Sequence, residues 1–123
     1  ACPEGYHPDP QVLEFAKAYG DKFTLTDQPL EAAKDADVVI TDVWASMGQE
    51  EEKKIREQAF AGYQVNKELM AATGKENTIF MHCLPAVLGQ EVTEEVFESS
   101  ASKVWDEAEN RKHTIKAIML ALI

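Results

Sequence analysis

Paired cysteines are absent from this chain. Cys2 and Cys83 lie far apart and form no C-x-x-C pair, so neither a zinc knuckle nor a disulfide framework is expected, and no metal is implied. A reducing compartment is the simpler expectation. Long apolar runs are also lacking. None approaches the ~20 residues needed to cross a bilayer, and the amino terminus has neither a basic segment nor an apolar signal core. The chain therefore reads as soluble, with a cytoplasmic setting expected and the mitochondrial matrix as the alternative if a targeting peptide has been removed. Positive charge is scarce: 12 Lys and Arg against 22 Asp and Glu leave a formal charge of -10. Such a field repels nucleic acid and anionic membranes. An anionic ligand would have to be gripped by local positive groups.

What is present is the composition of a folded domain. The 123 residues are 45% hydrophobic and 28% charged, too apolar for intrinsic disorder and long enough for one core. Asp9-Pro10 supplies a helix cap followed by proline in the first turn, predicting a helix that stops near Gly20. Residues 23–26 alternate like a short strand, and Asp27 is placed to cap a brief helix over residues 29–34. Asp37-Val38-Val39-Ile40-Thr41-Asp42 is a compact β-branched run, predicting a strand covered on both faces. Residues 50–61 read as a helix, Asn66 as the cap of another that stops at Gly74, and residues 78–81 as a second buried strand ending at His82-Cys83-Leu84-Pro85. Thr93 opens an acidic helical turn, residues 103–105 read as extended, and a terminal helix from Ala108 gathers Ile115, Ile118, Met119 and Ile123 on one face. Strand followed by helix recurs, with no internal repeat. The expected fold is α/β: a three-layer, Rossmann-like domain with a mainly parallel sheet.

In open parallel sheets, ligands bind beyond the carboxyl ends of the strands. One such end is Asp42-Val43-Trp44-Ala45-Ser46-Met47-Gly48, whose carboxylate and hydroxyl suit a ligand ammonium group. The plainer alternative is that Asp42 stabilises a turn and Trp44 fills the core. The other end carries Cys83 beside His82, and a cysteine there is either a nucleophile or base, or simply a buried structural thiol. Arg111, in the charged stretch of residues 107–113, either grips an oxyanion or belongs to a solvated helix turn. His7-Pro8-Asp9-Pro10-Gln11 reads as a structural loop before the first helix, and the charges of residues 50–54 as a solvated face.

Four segments occur together and in order: Asp42-Val-Trp-Ala-Ser-Met-Gly-Gln-Glu50, Tyr63-Gln-Val-Asn66, His82-Cys-Leu-Pro-Ala86 and Asp106-Glu-Ala-Glu-Asn-Arg-Lys-His113. With Gly5-Tyr6 ahead and His113-Thr114-Ile115-Lys116 behind, the set resembles ornithine carbamoyltransferase over essentially the whole chain. The resemblance implies transfer of a carbamoyl group from carbamoyl phosphate to the side-chain amine of ornithine, giving citrulline and phosphate, without metal or organic cofactor. It implies that Asp42, Ser46 and Met47 bind ornithine, the carboxylate taking the α-ammonium. Cys83 and Leu84 would lie where the substrates meet, with Cys83 as proton acceptor and Arg111 on carbamoyl phosphate. Members of the family usually form trimers.

The family's Ser-Thr-Arg-Thr phosphate loop, its His-Pro-x-Gln segment and the glycine- and asparagine-rich turn of its ornithine domain have no counterpart here. The expectation is an ornithine-binding domain over residues 1–123 without its first strand and without the amino-terminal carbamoyl-phosphate domain, and so inactive alone. Two other readings stand beside it. One is a carbamoyltransferase for acetylornithine or putrescine, although putrescine offers no carboxylate to recognise. The other is a folding or interaction fragment with no catalysis of its own.

Overall fold

The structure, a computed structural model, describes residues 1–46, 48 and 51–123. Two short strands form its centre. β1 (Val38–Thr41) and β2 (Ile79–His82) pair in parallel, with Val38 opposite Ile79 and Thr41 opposite His82. Phe80 also bonds outward on the other side of β2, donating to Ala101 O at 2.9 Å and accepting from Lys103 N at 2.8 Å. The chain is α/β with a parallel sheet, but among the described residues that sheet has two strands rather than the larger one expected.

Helices surround this centre. They are α1 (Pro10–Lys17), α2 (Pro29–Ala33), α3 (Lys53–Ala59), α4 (Lys67–Ala72), α5 (Glu94–Phe97) and α6 (Val104–Leu122). Several begin where side-chain chemistry says they should. Asp9 accepts from Gln11 N at 2.8 Å, Asn66 from Leu69 N at 3.0 Å and Thr93 from Val96 N at 3.4 Å, each satisfying an orphan donor of a first turn. The core gathers Val39 and Phe80 from the strands with Ala33, Val65, Leu69, Val92, Val96, Phe97 and Val104.

Four expectations need correction. Residues 23–26 form no strand; Cys2 N donates to Thr26 O, but no ladder extends from it. The cap of α2 is Gln28, while the Asp27 carboxylate accepts from the Gln28 side chain instead. Residues 104–105 open α6 rather than running extended, because the bonds to Phe80 end at Lys103. Finally, β1 is covered on one face only: Val39 is 8% exposed, but Val38 is 42% and Ile40 67% exposed. The apolar face of α6 is likewise bare, with Ile115, Ile118 and Met119 all exposed. Helix α3 starts at Lys53, and the expected start at Glu50 lies outside the described residues. Among the described residues no helix is long and apolar enough to cross a membrane.

Candidate functional site

The parallel register brings two distant residues together. Because Thr41 is opposite His82, the next residue of each strand is Asp42 on one side and Cys83 on the other. Cys83 Sγ donates to Asp42 Oδ1 at 3.4 Å, and the same oxygen accepts from Val43 N at 2.7 Å. Both residues are exposed.

Strand alternation sends His82 into the core and leaves Cys83 outside. There Cys83 and Met81 form one side of a groove of about 450 Å³, and Glu107, Asn110, Arg111 and Thr114 of α6 form the other. Arg111 is the one cation lining it among the described residues. Glu107 Oε2 is buried without a hydrogen-bond partner. Cys83 thus touches Asp42 on one side and lines the groove with Arg111 on the other.

The electrostatics of this rim keep the Cys83 thiol protonated. Partial desolvation pushes its pKa above the ordinary thiol value, and both the bond to Asp42 and that residue's negative charge add to the rise. Glu107 contributes in the same direction, while a backbone hydrogen bond opposes it. In this arrangement Cys83 is a donor, not a ready base.

The loop after β1 is held by aromatic packing. Trp44 is half-buried and stacks on Phe60 at 6.0 Å, Phe60 meets Tyr6 and Tyr63 edge-on, and Arg56 lies over the Tyr6 ring while reaching Trp44 O at 3.4 Å. Trp44 is thus a structural residue. Ser46 is exposed on this loop, and Gly48 takes the positive φ of 89° that favours glycine. Met47 lies outside the described residues.

Leu84 is half-buried against the core with φ 57°, and its N–H donates to His82 Nδ1 at 2.9 Å. His82 Nε2 faces Glu91 Oε1 at 3.1 Å, and neither side chain is exposed. Sequence reasoning passed over Glu91. Asp42, His82 and Cys83 place possible metal-ligating atoms within 4.8 Å of one another. Both His82 ring nitrogens are engaged elsewhere, with Leu84 N and Glu91, while Cys83 bonds Asp42, so these atoms already have partners within the chain.

The Tyr63-Gln64-Val65-Asn66 segment proves to be scaffolding. Tyr63 donates to Asp27 O at 2.8 Å, Gln64 to Gly89 O and Gln90 O, and Asn66 caps α4. His7 is exposed in the loop ahead of α1.

Fold and groove define a parallel α/β domain with an open groove beside the carboxyl end of β2. Residues 1–122 match the family described as aspartate/ornithine carbamoyltransferase, Asp/Orn binding domain, and the chain belongs to that family. The ornithine carbamoyltransferase of Methanosarcina acetivorans is 53% identical over 123 residues, covering 100% of this chain and 40% of that protein. Ornithine carbamoyltransferase from Pyrococcus furiosus superposes with a TM-score of 0.84 at 50% identity, over 95% of this chain and 38% of that one. N-acetyl-L-ornithine transcarbamylase superposes with a TM-score of 0.80 at 32% identity, over 99% and 39%. The chain spans about 40% of the length of the curated relatives it matches.

Proposed function

We propose that this chain is the ornithine-binding part of an ornithine carbamoyltransferase. The observation that carries this reading is the 3.4 Å contact between Cys83 and Asp42 at the mouth of a groove that Arg111 also lines. In the longer protein we place the chain within a three-layer, Rossmann-like domain, with a second domain supplying further carbamoyl-phosphate ligands.

The chemistry follows from the groups at the rim. The side-chain amine of ornithine attacks the carbonyl carbon of carbamoyl phosphate; a C–N bond forms, the C–O bond to phosphate breaks, and the attacking nitrogen loses a proton. The Asp42 carboxylate takes the α-ammonium, Ser46 and Met47 complete the amino-acid contacts, and Arg111 faces the anionic donor. Cys83 and Leu84 stand where the two substrates meet. With no ligand, the charge of Asp42 holds the Cys83 thiol up. An ammonium seated on Asp42 offsets that charge and lets the Cys83 thiol release its own proton to solvent, after which the thiolate can take the proton that the attacking nitrogen sheds. N-acetylation would remove the α-ammonium and leave Asp42 without its partner, whereas putrescine keeps an ammonium at that position and lacks only the carboxylate. L-ornithine is therefore preferred over its N-acetyl derivative.

Asp42→Asn keeps an acceptor for Val43 N and removes the charge. It is expected to weaken L-ornithine binding about 10- to 100-fold, the range for losing a charge-assisted bond, and to shift the pH profile of Cys83 alkylation downward. Titration calorimetry with L-ornithine, N-acetylornithine and putrescine checks the first expectation, and iodoacetamide kinetics check the second. Equal affinity of the variant and the native chain for L-ornithine would end this reading, as would N-acetylornithine binding as tightly as L-ornithine.

A further inference from the structure

We propose that the buried His82–Glu91 pair is a positioning device, fixing the turn after β2, with Leu84 against the core, so that Cys83 faces the groove. The proposal rests on the reading of that groove as the substrate site.

Both side chains are fully buried, and together they hold the turn at two points. Leu84 N donates to His82 Nδ1 at 2.9 Å, and Val87 N donates to Glu91 Oε1 at 2.7 Å. Since Nδ1 accepts, the ring proton sits on Nε2 and points at Glu91 Oε1, 3.1 Å away. The turn needs such a hold. Leu84 sits at φ 57°, a left-handed conformation that non-glycine residues seldom adopt unaided. The carboxylate in turn comes from a rigid base: Val65 N donates to Glu91 O at 2.8 Å, Thr93 N to Val65 O at 3.0 Å, and Gln64 ties down Gly89 and Gln90.

Packing alone does not account for Glu91. Its Oε2 is buried without a partner, which costs desolvation that an apolar side chain of similar size would avoid. What the carboxylate provides is one oxygen shared by a loop N–H and the histidine that holds the residue beside Cys83.

The test uses the whole chain carrying Cys2→Ser, so that Cys83 alone reports. Around Cys83 the titratable and charged neighbours are Asp42, His82, Glu107 and Arg111. Glu91→Leu removes the acceptor at similar volume, while Glu91→Gln keeps Oε1 for both donors. In Glu91→Leu the turn is released, the thiol leaves Asp42, and iodoacetamide alkylation at pH 8 is expected to speed up roughly three- to tenfold, as a thiol does when its pKa falls toward the ordinary value. Glu91→Gln is expected to stay within about twofold of the parent, rescued by the retained acceptor. A folded Glu91→Leu protein with an unchanged rate overturns the proposal, and so does Glu91→Gln rising as far as Glu91→Leu. Should the leucine variant fail to fold, nitrogen-15 NMR of the parent decides: a His82 proton on Nε2 supports the proposal, and one on Nδ1 overturns it. Protection of Cys83 by L-ornithine, read in the same assay on the parent, reports separately on the substrate reading. Loss of protection with the Leu/Gln contrast intact would remove the substrate and leave the positioning.

Discussion

Phe80→Ala is expected to lower the stability of this chain by about 3–5 kcal/mol, the usual cost of truncating a fully buried aromatic side chain. Phe80 is 0% exposed and lies within β2, where its backbone is bonded toward residues 101 and 103. Its ring shares the core with Val39, Leu69, Val92 and Val104, so the cavity left behind has rigid walls on several sides and little freedom to collapse. Small domains are held by only about 5–15 kcal/mol. A loss of this size lowers the folding equilibrium constant by about two to three and a half orders of magnitude. Urea denaturation followed by circular dichroism measures it as a fall in midpoint at constant slope. Ile40→Thr in the neighbouring strand is the internal contrast. Ile40 is 67% exposed, so this change is expected to stay within about 0.5 kcal/mol. A loss below about 1 kcal/mol for Phe80→Ala would show that the core is not organised around β2.

That contrast also marks how far the fold is legible in the sequence. The two strand centres announce themselves, since a β-branched run and Thr78-Ile79-Phe80-Met81 have few other uses. Helix starts at Asp9, Asn66 and Thr93 are equally legible, because capping is local chemistry within three residues. Residues 23–26 carry a strand-like pattern, but a strand exists only if a neighbour accepts its hydrogen bonds, and that depends on distant chain. The bareness of Ile40 escapes for the same reason. Hydrophobicity tells that a face favours burial, not that these residues bury it.

The site divides similarly. That Asp42 and Cys83 end strands is readable from pattern; that they are in register is not, because pairing is set by the packing of the whole sheet. The parallel-sheet rule supplied the expectation that they meet, and the 3.4 Å contact agrees with it. The state of the meeting was less legible. The resemblance implies that Cys83 accepts a proton, whereas the ligand-free rim makes it a donor to Asp42. Glu91 is the least legible of all, since nothing in a Gln-Glu-Val tripeptide says that its carboxylate is fully buried.

The purified 123-residue chain is expected to form citrulline from carbamoyl phosphate and ornithine at least about 10⁴-fold more slowly than a full-length relative, since each preorganised donor removed from an acyl- or phosphoryl-transfer site costs about 10²–10³. Charge along the groove sets this limit. Among the described residues, the groove and its mouth offer Arg111 against the carboxylates of Asp42 and Glu107, within a chain of formal charge -10. Carbamoyl phosphate is an anion, and its leaving phosphate gathers further negative charge as the C–O bond breaks. One guanidinium, in so acidic a chain, can neither concentrate such a donor nor stabilise that charge. Binding and turnover should therefore separate: L-ornithine still protects Cys83 from alkylation, while citrulline stays at the level of the uncatalysed reaction. Adding the remaining segment of a longer relative in trans tests whether supplementary cations restore the rate, read as a colorimetric citrulline assay against ionic strength. Robust citrulline formation by the chain alone would mean that the groove handles phosphate with groups other than Arg111, and the division of labour between this domain and its partner would have to be redrawn.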